Sequence, residues 1–127
     1  MKKRPLNAPA APIPKGGYAQ AVEVTAAKRW LFVSGQIPVG RDGHVPKDFA
    51  SQARLAWANV EAQVVAAGMT LDNIVKATVF LSDRRYSVEN RSIRQEVMAD
   101  REIALTVVIT GIFDAAWLLE IEAIAAA

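Results

Sequence analysis

Two carboxylates stand in a stretch that otherwise has the composition of a buried strand, LLEIEAIA at 118–125. Side chains alternate faces along extended backbone, so Glu120 and Glu122 point the same way, beside Leu118 and Ile124. A carboxylate among apolar neighbours is costly unless it meets water, a partner or a ligand. One chemistry open to such a group is that of a base that orients or deprotonates water. The other reading is a solvated or interface-paired carboxylate that only fixes packing between copies. The rest of the chain narrows the choice. It has no cysteine, which excludes disulfides, thiolate nucleophiles and cysteine metal sites. Its one histidine, His44, sits in the Gly/Pro loop IPVGRDGHVPKD with no cluster of ligands around it. There is no Gly-rich phosphate loop after a strand, no histidine-paired serine signature and no zinc spacing. What remains is chemistry on a small molecule without metal or cofactor, or binding without chemistry.

The hydrophobic pattern places the elements that must position these groups. Residues 1–17 are rich in Pro, Ala and Gly and read as an extended arm, with MKKR as a solvated tail and Gly16-Gly17 as a turn. YAQAVEVT (18–25) and RWLFVSGQ (29–36) read as a hairpin, although their link lacks a strong turn dipeptide. Residues 49–67 form the clearest helix, with Phe49, Ala53, Ala56, Val60, Val64 and Ala67 on one face. Asp48 is placed to cap its start and Gly68 to end it in a left-handed conformation. NIVKATVFLSD (73–83) is a strand rich in β-branched residues. A second helix covers about 86–99, with Tyr86, Ile93 and Val97 inward and Ser82 or Asp83 as cap. ALTVVITGIF (104–113) and WLLEIEAIA (117–125) are strands. The order ββ-α-β-α-ββ predicts an α+β two-layer sandwich, a mostly antiparallel sheet with two helices on one face. The other face keeps apolar residues on several strands and is expected to be covered by further copies of the chain.

Bulk properties agree with a compact cytoplasmic protein. The 127 residues suffice for one domain, 1–127, with a real core. The composition is 52% hydrophobic and 22% charged, that of a packed globule. A net charge of +2, with both signs interspersed, gives no reason to expect nucleic acid or a membrane surface as partner. Proline after proline in PLNAPAAPIPKGG spoils a signal-peptide reading. Trp30, Trp57 and Trp117 read as core or interface anchors.

Four segments carry a resemblance to a known family. GGYAQA at 16–21, FVSGQIP at 32–38, NIVKATVFLSD at 73–83 and EIEAIA at 120–125 resemble the RidA/YjgF family in its order and at nearly its spacing. The similarity runs from about residue 8 to residue 125. It implies a chorismate-mutase-like fold assembled as a homotrimer around a barrel core, with a ligand cleft at each subunit boundary. It implies hydrolysis of reactive enamine or imine intermediates to keto acids and ammonia. Matched position by position, Tyr18 falls on the family's cleft tyrosine and Ser34, beside Gly35, on the serine of SGQIP. Glu120 falls on the glutamate that positions the attacking water. Asn90 is a looser match to an asparagine early in the second helix.

One position departs from the pattern. The family's deaminases carry an arginine fifteen residues before the cleft glutamate, which here is Leu105, with Val107 in place of the small residue two positions on. Arginine grips a carboxylate with two charge-assisted hydrogen bonds, each contributing roughly 1.5–3 kcal/mol. Their loss is expected to weaken a carboxylate ligand by at least ~10- to 100-fold. Arg94 and Arg101 are the candidates to reach in, though a helix-end or loop role explains each more simply. Two functions follow. One is a hydrolase acting on an imine or enamine without an essential carboxylate, with Glu120 as base and Tyr18 closing the cleft. The other is a cleft that binds a neutral or apolar metabolite without chemistry. A ribonuclease finds no histidine pair and no basic stripe to support it.

Overall fold

The computed structural model describes all residues 1–127. Six strands and two main helices follow in the order β1 (Lys2–Leu6), β2 (Ala21–Thr25), β3 (Trp30–Gln36), α1 (Phe49–Ala66), β4 (Ile74–Leu81), α2 (Ser87–Met98), β5 (Ala104–Ile109) and β6 (Leu119–Ala126). A four-stranded sheet runs in the order β3-β6-β4-β5, and β1 pairs with β2 in a separate two-stranded ribbon. All pairings are antiparallel except β4 with β5, which α2 connects as a crossover. This is the expected α+β sandwich with a mostly antiparallel sheet.

Both helices lie on one face of the sheet. Alternation along β4 and β6 sends Ala77, Val79, Leu81, Leu119, Ile121, Ala123 and Ala125 into the core beneath α1. Phe49, Ala53, Ala56, Trp57, Val60 and Val64 meet them from the helix. Asp48 accepts a hydrogen bond from Ser51 N at 2.9 Å and caps α1, while Gly68 follows its end at φ +74°. Tyr86 stacks on Phe49 with ring centroids 4.7 Å apart, which docks the start of α2 on α1. The opposite face of the sheet carries Phe32, Thr78, Phe80, Glu120, Glu122 and Ile124, away from both helices. Trp30 is 50% exposed and Phe32 73% exposed.

Two sequence expectations are corrected. The hairpin of 18–25 with 29–36 does not form; β2 pairs instead with β1, inside the segment read as a solvated tail. Three consecutive basic residues and a proline, Lys2-Lys3-Arg4-Pro5, hid that strand. Lys3 reaches the carbonyls of Asp72 and Ile74, and Arg4 pairs with Glu23 at 3.1 Å across the ribbon. The link between β2 and β3 bends through Ala26 at φ +58°, and Lys28 and Arg29 turn to the Ala127 carbonyl. The strand expected over 104–113 ends at Ile109, and residues 110–118 are loop.

Candidate functional site

Gly16 and Gly17 both adopt positive φ, +100° and +79°, a conformation that favours glycine. The turn they make is held from two sides. Gly16 O accepts from Arg94 Nη2 at 2.7 Å and from Gln95 Nε2 at 3.1 Å, both on α2. Ala19 N donates to Ile103 O at 2.9 Å, just ahead of β5. Tyr18 is thereby fixed between the helix and the edge strand. It opens on a cleft of about 470 Å³ whose other walls include Asn90 and Arg94 from α2 and Leu105 and Val107 from β5. Register puts Leu105 beside Ala77 and Val107 beside Val79, so both point to the helix side of the sheet. The sequence match of Tyr18, Asn90, Leu105 and Val107 is therefore one place in space.

Glu120 is not in that place. It neighbours Phe80 on β4 and lies on the open face of the sheet, with β4 between it and the edge strand. Leu105 and Glu120 of one chain thus face opposite sides of the sheet. Strand alternation explains it, since β4 and β5 run parallel in register and fix the face of each residue. What Glu120 does have beside it is β3. Between Val33↔Ala123 and Gln36↔Ile121 the pairing shifts, so that Ser34 and Gly35 together oppose Glu122, as in a β-bulge. The Glu120 carboxylate lies over Gly35, where a Cβ would sit 1.9 Å from Oε1 and 2.7 Å from Cδ. Gly35 has no positive φ, so space rather than backbone conformation is what demands glycine there. Ser34 is exposed and Glu122 more exposed than Glu120. Glu122 lines a separate groove of about 200 Å³ with Phe32, Lys76 and Thr78.

The two candidate arginines separate cleanly. Arg101 Nε pairs with Asp72 at 2.7 Å and does not line the cleft. Arg94 does, at 4% exposure, with its Nε buried and without a partner. Burial holds its guanidinium below the ordinary value, and the charge of Arg91 pulls the same way. Asn90, 3% exposed, has a buried Oδ1 that also lacks a partner. Sequence reasoning missed Gln52, buried on the apolar face of α1. It donates to Pro46 O at 2.8 Å and Ala116 O at 2.9 Å and accepts from Leu118 N at 2.8 Å, so it sets the loop that leads into β6. A glutamine within a helical apolar stripe was the available signal. No group of histidine, cysteine and carboxylate side chains could hold a metal ion, and His44 is an exposed loop residue.

The profile of the family described as Endoribonuclease L-PSP matches residues 8–127. The chain belongs to this family, the RidA/YjgF proteins. A RutC family protein of Aquifex aeolicus is 34% identical over 110 residues, 86% of each chain. The 2-iminobutanoate/2-iminopropanoate deaminase of Escherichia coli K12 is 47% identical over 78 residues, 61% of this chain and 56% of the deaminase. The crystal structure of E. coli TdcF with bound serine superposes with a TM-score of 0.74 at 33% identity, covering 98% of both chains. YyfB of Yersinia pestis, a Rid protein, gives 0.86 over the whole of both chains at 21% identity, a likeness of fold.

Proposed function

We propose that this chain is a reactive-intermediate deaminase, hydrolysing the C=N bond of a small imine or the tautomeric enamine in clefts shared between copies of a homotrimer. The observation that carries this reading is the separation of the site into two halves. Tyr18, Asn90, Leu105 and Val107 line a cleft beside α2, while Glu120, Ser34 and Gly35 lie on the opposite, uncovered face of the same sheet. A second copy seated on that face brings the two halves together, and it also covers Phe32 and Trp30. A ring of three closes such a head-to-tail contact. The names and ligands of the relatives, an iminobutanoate deaminase and a TdcF structure holding serine, support a small nitrogen-bearing molecule as the occupant.

In this mechanism Glu120 accepts a hydrogen bond from water and takes its proton as the water oxygen adds to the imine carbon. Glu120 passes that proton to the nitrogen, giving a neutral carbinolamine, then takes the hydroxyl proton and returns it to the nitrogen as the carbonyl forms, the C–N bond breaks and ammonia leaves. Tyr18 and Asn90 position the substrate. Leu105 and Val107 make the cleft floor apolar, and this favours a second reading in which the cleft binds a metabolite without chemistry.

Ammonia release from imines generated in place from several amino acids tests the choice. Rates above background for the wild type, falling to background in Glu120→Gln, support hydrolysis. Background rates on every imine, with ligand binding intact, leave only the second reading.

A further inference from the structure

The cleft beside α2 has an unbalanced charge. Lys15, Arg91 and Arg94 line it and no acidic residue of the same chain does, so the one Glu120 that a second copy brings leaves the cleft net positive. The chain's ion pairs are Arg4 with Glu23, Arg54 with Glu96 and Arg101 with Asp72, so none of the three cleft cations has an anionic partner. Arg91 and Arg94 are close neighbours. A Cβ built on Gly16 would lie 3.2 Å from Arg91 Nε and 3.3 Å from Arg94 Nη2, which puts both guanidiniums against the same glycine. Two like charges side by side with no counter-charge repel, and more strongly where one of them is buried.

The hydrogen bonding of Arg94 is unfinished too. Of the five N–H donors on a guanidinium, those on Nη2 reach Gly16 O, and Nε is buried without any acceptor. One turn earlier on the same helix, Asn90 has an unused buried acceptor. Both side chains are more than nine-tenths buried and both line the cleft.

We propose that Arg94, with Arg91 beside it, grips the carboxylate of the cleft's ligand, so that the cationic anchor has moved from β5 to α2. Leu105 and Val107 then form the bed for the ligand's short apolar body, opposite the charge. The substrate class is a small carboxylate-bearing imine or keto acid, and the apolar Leu105 does not select a neutral ligand. This deepens the deaminase reading and rests on the cleft being its substrate site. It also assigns the carboxylate a partner that the loss of the strand arginine had removed.

Calorimetric titration of the full-length protein with 2-oxobutanoate, its neutral amide 2-oxobutanamide and inorganic phosphate tests the proposal without turnover. The anion is expected to bind at least about 10-fold tighter than the amide, as a charge-assisted pair requires. Arg94→Gln is expected to lose at least about 10-fold in affinity, and adding Leu105→Arg to that variant to restore it. A residue that only tethers Gly16 gives no such rescue, so loss without rescue overturns the proposal. So does an amide that binds as well as the anion, or an Arg94→Gln variant that binds like wild type. Phosphate displacing 2-oxobutanoate at equal concentration overturns the carboxylate assignment. Should Arg94→Gln fail to fold, Arg91→Gln is read instead, with weakening of the anion but not of the amide expected, and no weakening as the refuting result. If the anion binds as expected while imines are hydrolysed only at background, the hydrolase reading falls and this one stands. If imines are hydrolysed and the amide binds equally well, the reverse holds.

Discussion

Replacing Gly35 with alanine should separate activity from stability. The new Cβ would sit 1.9 Å from Glu120 Oε1, and reaching an ordinary contact of 3.4 Å requires the carboxylate oxygen to retreat by about 1.5 Å. Cδ and Cγ, at 2.7 and 3.0 Å, must follow. All three atoms belong to one flexible, half-exposed side chain and none to backbone, so the fold can absorb the change by swinging Glu120 aside. The stability cost should stay near the low end of overpacking, about 1 kcal/mol. Activity is more sensitive, because a displacement of ~1 Å at a reacting group costs roughly 100-fold, equivalent to about 2.7 kcal/mol of barrier. Ammonia release from in-place imines should therefore fall by about two orders of magnitude in Gly35→Ala while thermal unfolding moves by only a few degrees. Full activity in Gly35→Ala would refute the claim that glycine is there to seat the carboxylate.

Gln52→Ala leaves Pro46 O, Ala116 O and Leu118 N without their partner, and chemical denaturation should show a loss of about 3 kcal/mol; a loss under about 1 kcal/mol contradicts its role in setting the loop into β6. Asp48→Ala should lower the melting temperature at neutral pH by removing the cap on α1. The Ser51 N–H bound to it holds the Asp48 carboxyl below its usual 3.8. A depressed folded-state value means the contribution is complete above the unfolded one and is lost as pH falls through the folded one. Wild-type and Asp48→Ala melting curves should therefore converge as pH drops below 3.8, and a constant gap would contradict this.

The helices were legible because their signals are local. Asp48, the face from Phe49 to Val64, and Gly68 each act within a few residues, and α1 appears where they place it. The face of Glu120 was legible for the same reason, since alternation along β6 needs no knowledge of its neighbours. The pairing of β2 with β1 was not, because its partner is a polar, proline-containing segment held by Lys3 and Arg4, contacts whose partners are distant in sequence. Nor was the opposition of Leu105 and Glu120. It depends on β5 joining β4 in parallel, which no local pattern in IALTVVI reports. Arg94 was visible as a candidate from its residue type, yet its selection over Arg101 needed the fold. Asp72 takes Arg101 away, while the Gly16 turn draws Arg94 into the cleft wall.

The central claim is that Glu120 of one copy completes the cleft of another, and subunit mixing tests it most directly. Glu120→Gln disables one half-site and Leu105→Asp the other, so each variant alone should release ammonia at background. Mixed and allowed to exchange subunits in equal amounts, they should recover about a quarter of wild-type activity, because each mixed ring of three has one boundary with both halves intact. Mixtures that have exchanged subunits and still show only background activity would contradict the account.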